Sequence, residues 1–278
     1  ELFNVNLVQN HAVSMSSGSE RSSYYASMSA LLDPGWTEQS KVNRYTASLN
    51  ASFNILDNLS LNMITNASYR KQRAPGTLSQ EVDAVSGRVK RDFDINPYSF
   101  ALNSSRTLNP DEYYTRNYAP FNIHNELKNN YMDLNLADVK FQLDLKYKPV
   151  RGLELSALGA IQYQTTSQEH NITDFSNQAI AYRTMPTTAI RDKNPFLYTD
   201  PDNPFAVPIT VLPQGGIYKK TDYTMRSSDL RLSAAYNTVI DEKHIINAFA
   251  GTEINSIDRS EDWFRGWGLQ YSMGQIPF

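Results

Sequence analysis

For ten or more residues at a time, seven stretches of this sequence alternate strictly between apolar and polar side chains. The clearest runs from Arg44 to Ile55. There Tyr45, Ala47, Leu49, Ala51, Phe53 and Ile55 interleave with Arg44, Thr46, Ser48, Asn50, Ser52 and Asn54. Neighbouring side chains of a strand leave opposite faces, so such a stretch builds a sheet with one oily and one wet surface. The wet surface is too polar for a protein core, and the stretches exceed the usual strand length. The pattern predicts an all-β fold: an antiparallel transmembrane β-barrel segment of about eight strands.

The connections carry a second rhythm. A weak first strand runs from about Val8 to Ser16, with a tight turn expected at Ser17-Gly18-Ser19. The second strand covers about Ser22 to Leu32, and Asp33-Pro34-Gly35 opens a moderate loop to the third. Asp57-Asn58 turns the third into the fourth, Leu59 to Arg70, after which periodicity lapses over about 71–137. The fifth strand spans Val139 to Lys148, and Pro149 to Gly152 turns it into the sixth, Leu153 to Gln164. A second long loop covers about 167–224. The seventh strand, Ser228 to Asn237, turns at Asp241 to Lys243 into the eighth, Ile245 to Asn255, and an aromatic, irregular tail follows. Short turns follow odd strands and longer connections follow even ones. A barrel with short periplasmic turns and long extracellular loops has this rhythm, whereas a β-sandwich has no need of it.

Charge follows the same split. From the second strand to the eighth the oily faces hold no Asp, Glu, Lys or Arg. The wet faces hold Arg44, Arg70, Lys140, Asp144, Lys146, Lys148, Glu154, Asp229, Arg231 and Glu253. A lysine or arginine facing lipid at mid-membrane costs ~2–4 kcal/mol, enough to clear one face of charge. A net charge of -3 gives no electrostatic pull toward nucleic acid. Cysteine is absent, so a disulfide framework and thiolate metal sites are excluded. The mean hydropathy of -0.51 speaks against helical membrane spans but not against a barrel, where only alternate residues face lipid.

The opening stretch resembles the SusC/RagA family of TonB-dependent outer-membrane transporters. The residues that carry the likeness are Leu2-Phe3-Asn4, Gln9-Asn10-His11-Ala12-Val13-Ser14-Met15-Ser16-Ser17-Gly18, Glu20 and Tyr24-Tyr25-Ala26-Ser27. Gly35, Lys41, Arg44-Tyr45 and the run Arg70-Lys71-Gln72-Arg73-Ala74-Pro75-Gly76 continue it. The usual Ser-Gly-Gly of the first turn appears as Ser16-Ser17-Gly18. The likeness covers about the first 76 residues and implies early wall strands just beyond a plug domain. It further implies a bacterial outer-membrane location and energised uptake of an oligosaccharide or peptide, with a SusD-like surface lipoprotein as partner. Plug, TonB box and signal peptide match nothing in this sequence, so contact with the TonB complex is expected through a preceding part of a longer chain. A passive porin-type barrel and a soluble secreted carbohydrate-binding β-protein remain the alternatives.

No catalytic motif or cofactor fingerprint occurs, and the reading is of a protein that is not an enzyme. His11, His124, His170 and His244 lack metal-ligand spacing. Glu81-Val82-Asp83 and Asp200-Pro201-Asp202-Asn203 offer carboxylates from loops, though the second is first a turn former. The candidate contact residues are aromatic: Tyr113, Tyr114 and Tyr118 with Phe121, and Trp263 and Trp267 with Phe264. Flat amphipathic rings suit stacking on sugars or anchoring a partner, and equally suit packing long loops into an ordered cap. Arg183, Arg191 and Lys193 are read as solvated cations or as contacts for acidic ligands.

Overall fold

The computed structural model describes residues 2–76, 81–82, 89–90, 93, 95–203, 205–240 and 244–277. Eight long strands form one antiparallel sheet in sequence order. They are β1 (Gln9–Gly18), β2 (Ser22–Asp33), β3 (Lys41–Leu56), β4 (Leu59–Pro75), β5 (Asn130–Val150), β6 (Leu153–Ile172), β7 (Gly216–Ile240) and β8 (His244–Gln270). A two-residue strand, β9 (Ile276–Pro277), pairs with the loop-side end of β8. The sheet is open: β1 is one edge, and β8 is unpaired along nearly all of the other. No described helix is long and apolar enough to cross a membrane.

Each strand forms where the alternation predicts it, and most run further. β5 begins at Asn130 rather than near Val139, β6 ends at Ile172, and β7 begins at Gly216. The long connections shrink to 76–129 and 173–215. The tail expected beyond Asn255 is strand as far as Gln270, held by a continuous ladder to β7 from Ile217↔Trp267 to Ile240↔His244. The first turn also moves. Ser16, Ser17 and Gly18 pair with Tyr25, Tyr24 and Ser23, so the chain reverses over Ser19–Arg21, closed by Ser19 N–H donating to the Ser22 carbonyl at 2.6 Å. The turn at Asp57-Asn58 stands as expected between β3 and β4. Gly152 closes the next one with φ +88°, where a Cβ would lie 2.4 Å from the Asn237 carbonyl oxygen. Asp241 to Lys243 lie outside the described residues.

Register places the two faces as the alternation requires. Leu49 sits opposite Ala26 and Thr65, while Asn50 sits opposite Tyr25 and Ile64. The oily face is uncovered: Met28 is 64% exposed, Ile161 60%, and Leu230 and Leu232 44% each. The wet face carries side-chain ladders instead, among them Ser27 to Ser48 at 2.7 Å, Ser52 to Asn62 at 2.7 Å and Gln162 to Asp138 at 2.7 Å. Cross-strand hydroxyl and amide pairs of this kind stabilise a sheet face in the way apolar pairs do on the other.

The cores lie elsewhere. They sit above the strands, in the two long connections. α1 (Pro97–Asn103) starts on Asn96, whose side chain accepts from Tyr98 N–H and Ser99 N–H, with proline at the first helical position. A short hairpin, Tyr114–Arg116 with Ala119–Phe121, leads into α2 (Ile123–Asn129), capped by Asn122. The second connection holds α3 (Asn177–Ala181), capped by Ser176, and α4 (Thr188–Lys193), capped by Thr187.

Candidate functional site

The outer face divides by height. Tyr147 lies opposite Leu59 and Leu155 near the turns, and Tyr236 lies opposite Leu153 beside it. Toward the loops Tyr45 pairs with Tyr69, which pairs with Ala137, while Tyr163 pairs with Val139. From Tyr147 to Ala137 is ten residues along β5, about 33 Å of strand. At the ~40° tilt of membrane barrels this stands about 25 Å tall, the height of a lipid-facing band between two aromatic girdles. Among the described residues the band holds no Asp, Glu, Lys or Arg until the loop-side row, where Arg226 sits opposite Asp258 with its guanidinium 5.9 Å from the Tyr163 ring. Beyond that row charge returns at once, with Lys71, Arg73, Asp133, Glu169, Lys220 and Asp222 on the same face. Arg73 grips both carboxylate oxygens of Asp133 at 2.7 Å and lies 4.1 Å from the centre of the Tyr131 ring.

The wet face bounds a trough of about 820 Å³ lined by Ser16, Tyr25, Asn50, Ser52, Asn62 and Asp144. Over its loop-side end the two long connections fold into a cap with three small cores. Ile95, Phe121, Ile123 and Leu127 form the first, with Leu2, Phe100 and Tyr114 packed on it. Ile172, Ala179, Leu212 and Ile217 form the second. The third joins the connections, since Phe93 and Ala119 of one meet Ala181 of the other.

Buried polar side chains bind the cap together. Asn177, 1% exposed, donates its amide to the carbonyls of Arg116 at 2.8 Å, Pro120 at 3.0 Å and Ala119 at 3.1 Å. Its own N–H donates to the Glu126 carboxyl. Burial pushes that carboxyl up to about 7, with the Asn177 N–H, Asn125 and Arg116 opposing the shift. His170 contacts Asn130 through Nε2 to Oδ1 at 2.7 Å, and Gly76 lies against this pair, where a Cβ would sit 2.0 Å from Asn130 Oδ1. Arg183 donates to the carbonyls of Gly215, Ala179 and Asp174, and burial lowers its guanidinium pKa. Its half-buried guanidinium is thus held by loop carbonyls of the cap. Sequence reasoning passed over Asn177, Glu126 and Asn130; the available signal was the set of helix caps at Asn96, Asn122, Ser176 and Thr187.

The aromatic candidates are distributed rather than gathered. Tyr113 is exposed, and Tyr114 packs on Phe121 with ring centres 5.3 Å apart. Tyr118 is half-buried at a left-handed position, φ 63°, of the cap hairpin. Trp263 is 70% exposed on β8, five pleats beyond Glu253 on the wet face. Trp267 stands edge-on to Tyr182, ring centres 5.3 Å apart. The structure thus places Tyr114 and Phe121 in a cap core and brings Trp267 against the cap, while Tyr113 and Trp263 stay open. The histidines are far apart: His124 meets Glu38 at 2.6 Å, His11 meets Gln9, and His244 lies at the start of β8. Asp200 is spent on a turn, accepting from Asp202 N–H at 3.0 Å, and Asp83 lies outside the described residues. No group of three potential metal-binding carboxylates or imidazoles occurs among the described residues.

No protein-family model matches the sequence, and no curated protein matches it. Solved structures do. The RagAB peptide importer in its closed-closed state matches over 95% of this chain with 19% identity and a TM-score of 0.61. The RagAB peptide transporter matches over 96% with 19% identity and a TM-score of 0.60. The importer in its open-open state matches over 99% with 18% identity and a TM-score of 0.65. This chain spans only 26–27% of those chains, so the likeness establishes the fold of a portion of a RagA-type barrel. That is the fold which the opening residues imply.

Proposed function

We propose that this chain is a barrel-wall segment of a TonB-dependent, SusC-like importer in the bacterial outer membrane, taking up oligosaccharides or peptides with a SusD-like surface lipoprotein. The observation that carries the reading is the uncovered oily band, about 25 Å tall between two aromatic rows, backed by a charged and hydroxylated inner face. A soluble carbohydrate-binding sheet would bury the Leu49 and Leu230 side against a second layer. Both lie open, at 37% and 44% exposure. The open edges at β1 and β8 present unpaired backbone groups that lipid cannot satisfy. They call for further strands of a longer chain, and the importer reading assigns the plug and the TonB contact to that same chain. The trough supplies a polar path, and the cap supplies the surface that selects what enters. The reading gives this segment no bond-breaking step.

The test is a pair of substitutions one residue apart in the full-length protein. Leu49→Arg places a cation in the oily band at a cost of ~2–4 kcal/mol and should sharply reduce folded protein in outer-membrane fractions. Asn50→Arg adds the same charge to the wet face and should leave assembly intact. Equal tolerance of the two would overturn the assignment of faces, and with it the membrane reading.

A further inference from the structure

At the loop-side end of the wet face, three neighbouring strands set cationic or ring-nitrogen side chains in one row. His170 of β6 pairs with Lys219 of β7, and Lys219 pairs with Arg265 of β8. Like charges directly opposite on a sheet repel and need an offsetting contact. Lys220, one residue on and facing the other way, has such a contact, with Asp222 at 2.9 Å. Lys219 and Arg265 have no ion pair among the described residues. His170 is tied to Asn130, so it leaves the two cations to face a shared space. That space is a cleft of about 440 Å³, lined also by Thr221, Trp263, Lys220 and one carboxylate, Glu261, so that the cations outnumber the acid. The Arg265 guanidinium lies 5.6 Å from the Trp263 ring centre, which orients it and leaves most of the indole open.

We propose that this cleft binds a free carboxylate of the transported molecule, held between Lys219 and Arg265, with the group next to that carboxylate resting on Trp263. The inference rests on the importer reading only for which molecule arrives. Ammonium and guanidinium together match the two oxygens of a carboxylate by charge-assisted hydrogen bonds, and an anion between them relieves their mutual repulsion. The volume admits a terminal residue or one sugar ring rather than a whole oligomer. A peptide C-terminus and a uronic acid carry the same group, so the experiment separates them.

The full-length protein in detergent is titrated calorimetrically with a short peptide bearing a free C-terminus, its C-terminal amide, and an oligogalacturonate. The variants are Lys219→Gln, Arg265→Gln and the charge-keeping Lys219→Arg. The cleft predicts that at least one free carboxylate binds about tenfold more tightly than the matched uncharged ligand. That preference should fall to within about twofold in either Gln variant and persist in Lys219→Arg. Oligogalacturonate binding that depends on Lys219, without any peptide binding, keeps the cleft and removes the peptide substrate. Peptide binding with equal affinity for acid and amide and no Lys219-dependent binding of oligogalacturonate, a preference unchanged in the Gln variants, or no carboxylate bound at all overturns the cleft. The first of these outcomes leaves the importer reading in place.

Discussion

Between the turns and the tyrosine rows, outer side chains such as Ile161 and Met28 are 60% and 64% exposed, touching only their neighbours within the sheet. Above those rows, Phe121, Leu127 and Ile172 are fully buried. The wall and the cap are therefore built on different terms. The wall satisfies its backbone through the ladder and leaves its apolar side to an external solvent, which suits hydrocarbon and would aggregate in water. The cap buries its own apolar groups, as a part surrounded by water must. Its helices are five to seven residues long, too short to be stable alone. It gains its order from three small cores and from buried Asn and Glu side chains that satisfy loop carbonyls and N–H groups. What differs is the medium each part was built to meet.

That contrast can be broken most heavily at Leu127, which has no exposed surface. Leu127→Ala should cost the cap about 2–5 kcal/mol. Hydrogen exchange should rise across 95–129 and 173–183, with the β4–β6 ladder between the tyrosine rows unchanged. A protective loss spreading evenly into the wall would mean that the two regions fold as one.

The next effect depends on pH. The Glu126 carboxyl is raised from 4.5 to about 7 in the folded cap, so the folded state holds a proton that the unfolded loop has lost between those values. Cap stability is then greatest below about pH 4.5, falls as pH rises through the window, and levels off above 7, a change on the order of 3 kcal/mol. Glu126→Gln should match the native cap at pH 4 and exceed it at pH 7.5, as read by protease resistance of the loops. A native cap that resists protease equally at both pH values would remove the buried acid from the account. Smallest is Arg73 with Asp133, a half-buried pair above the loop-side row. Asp133→Asn should lower stability by about 1 kcal/mol or less, with the loss shrinking in high salt.

The sequence was legible where one face of the sheet is oily and the other wet. At Arg44–Ile55 or Leu59–Arg70 every second position must be apolar, and a slip of one residue would turn the oily set inward. Above the tyrosine rows that contrast ends. Ser256, Asp258, Ser260 and Asp262 on one face of β8 oppose Ile257, Arg259, Glu261 and Trp263 on the other, and no polarity difference marks a strand. Hence Trp263 and Trp267 were expected in an irregular tail, although pairing with β7 makes them strand residues. The cap was illegible for a related reason. Its core residues come singly from distant places, Ile95, Phe121, Ala181 and Leu212, with no period to connect them. Only the local caps, such as Asn96-Pro97, carried a readable signal.

The central claim is that odd and even residues of one strand meet different solvents, and with no cysteine in these strands an introduced one can be read on a full-length background cleared of any others. Single cysteines at Leu61, Asn62, Met63, Asn66, Ala67 and Ser68 in the membrane-embedded full-length protein would be labelled with a fluorophore. Each would then be probed with a quencher confined to lipid tails and with one confined to water. We expect lipid quenching at Leu61, Met63 and Ala67, and aqueous quenching at Asn62, Asn66 and Ser68. Alternation in the opposite phase, or none at all, would contradict the account.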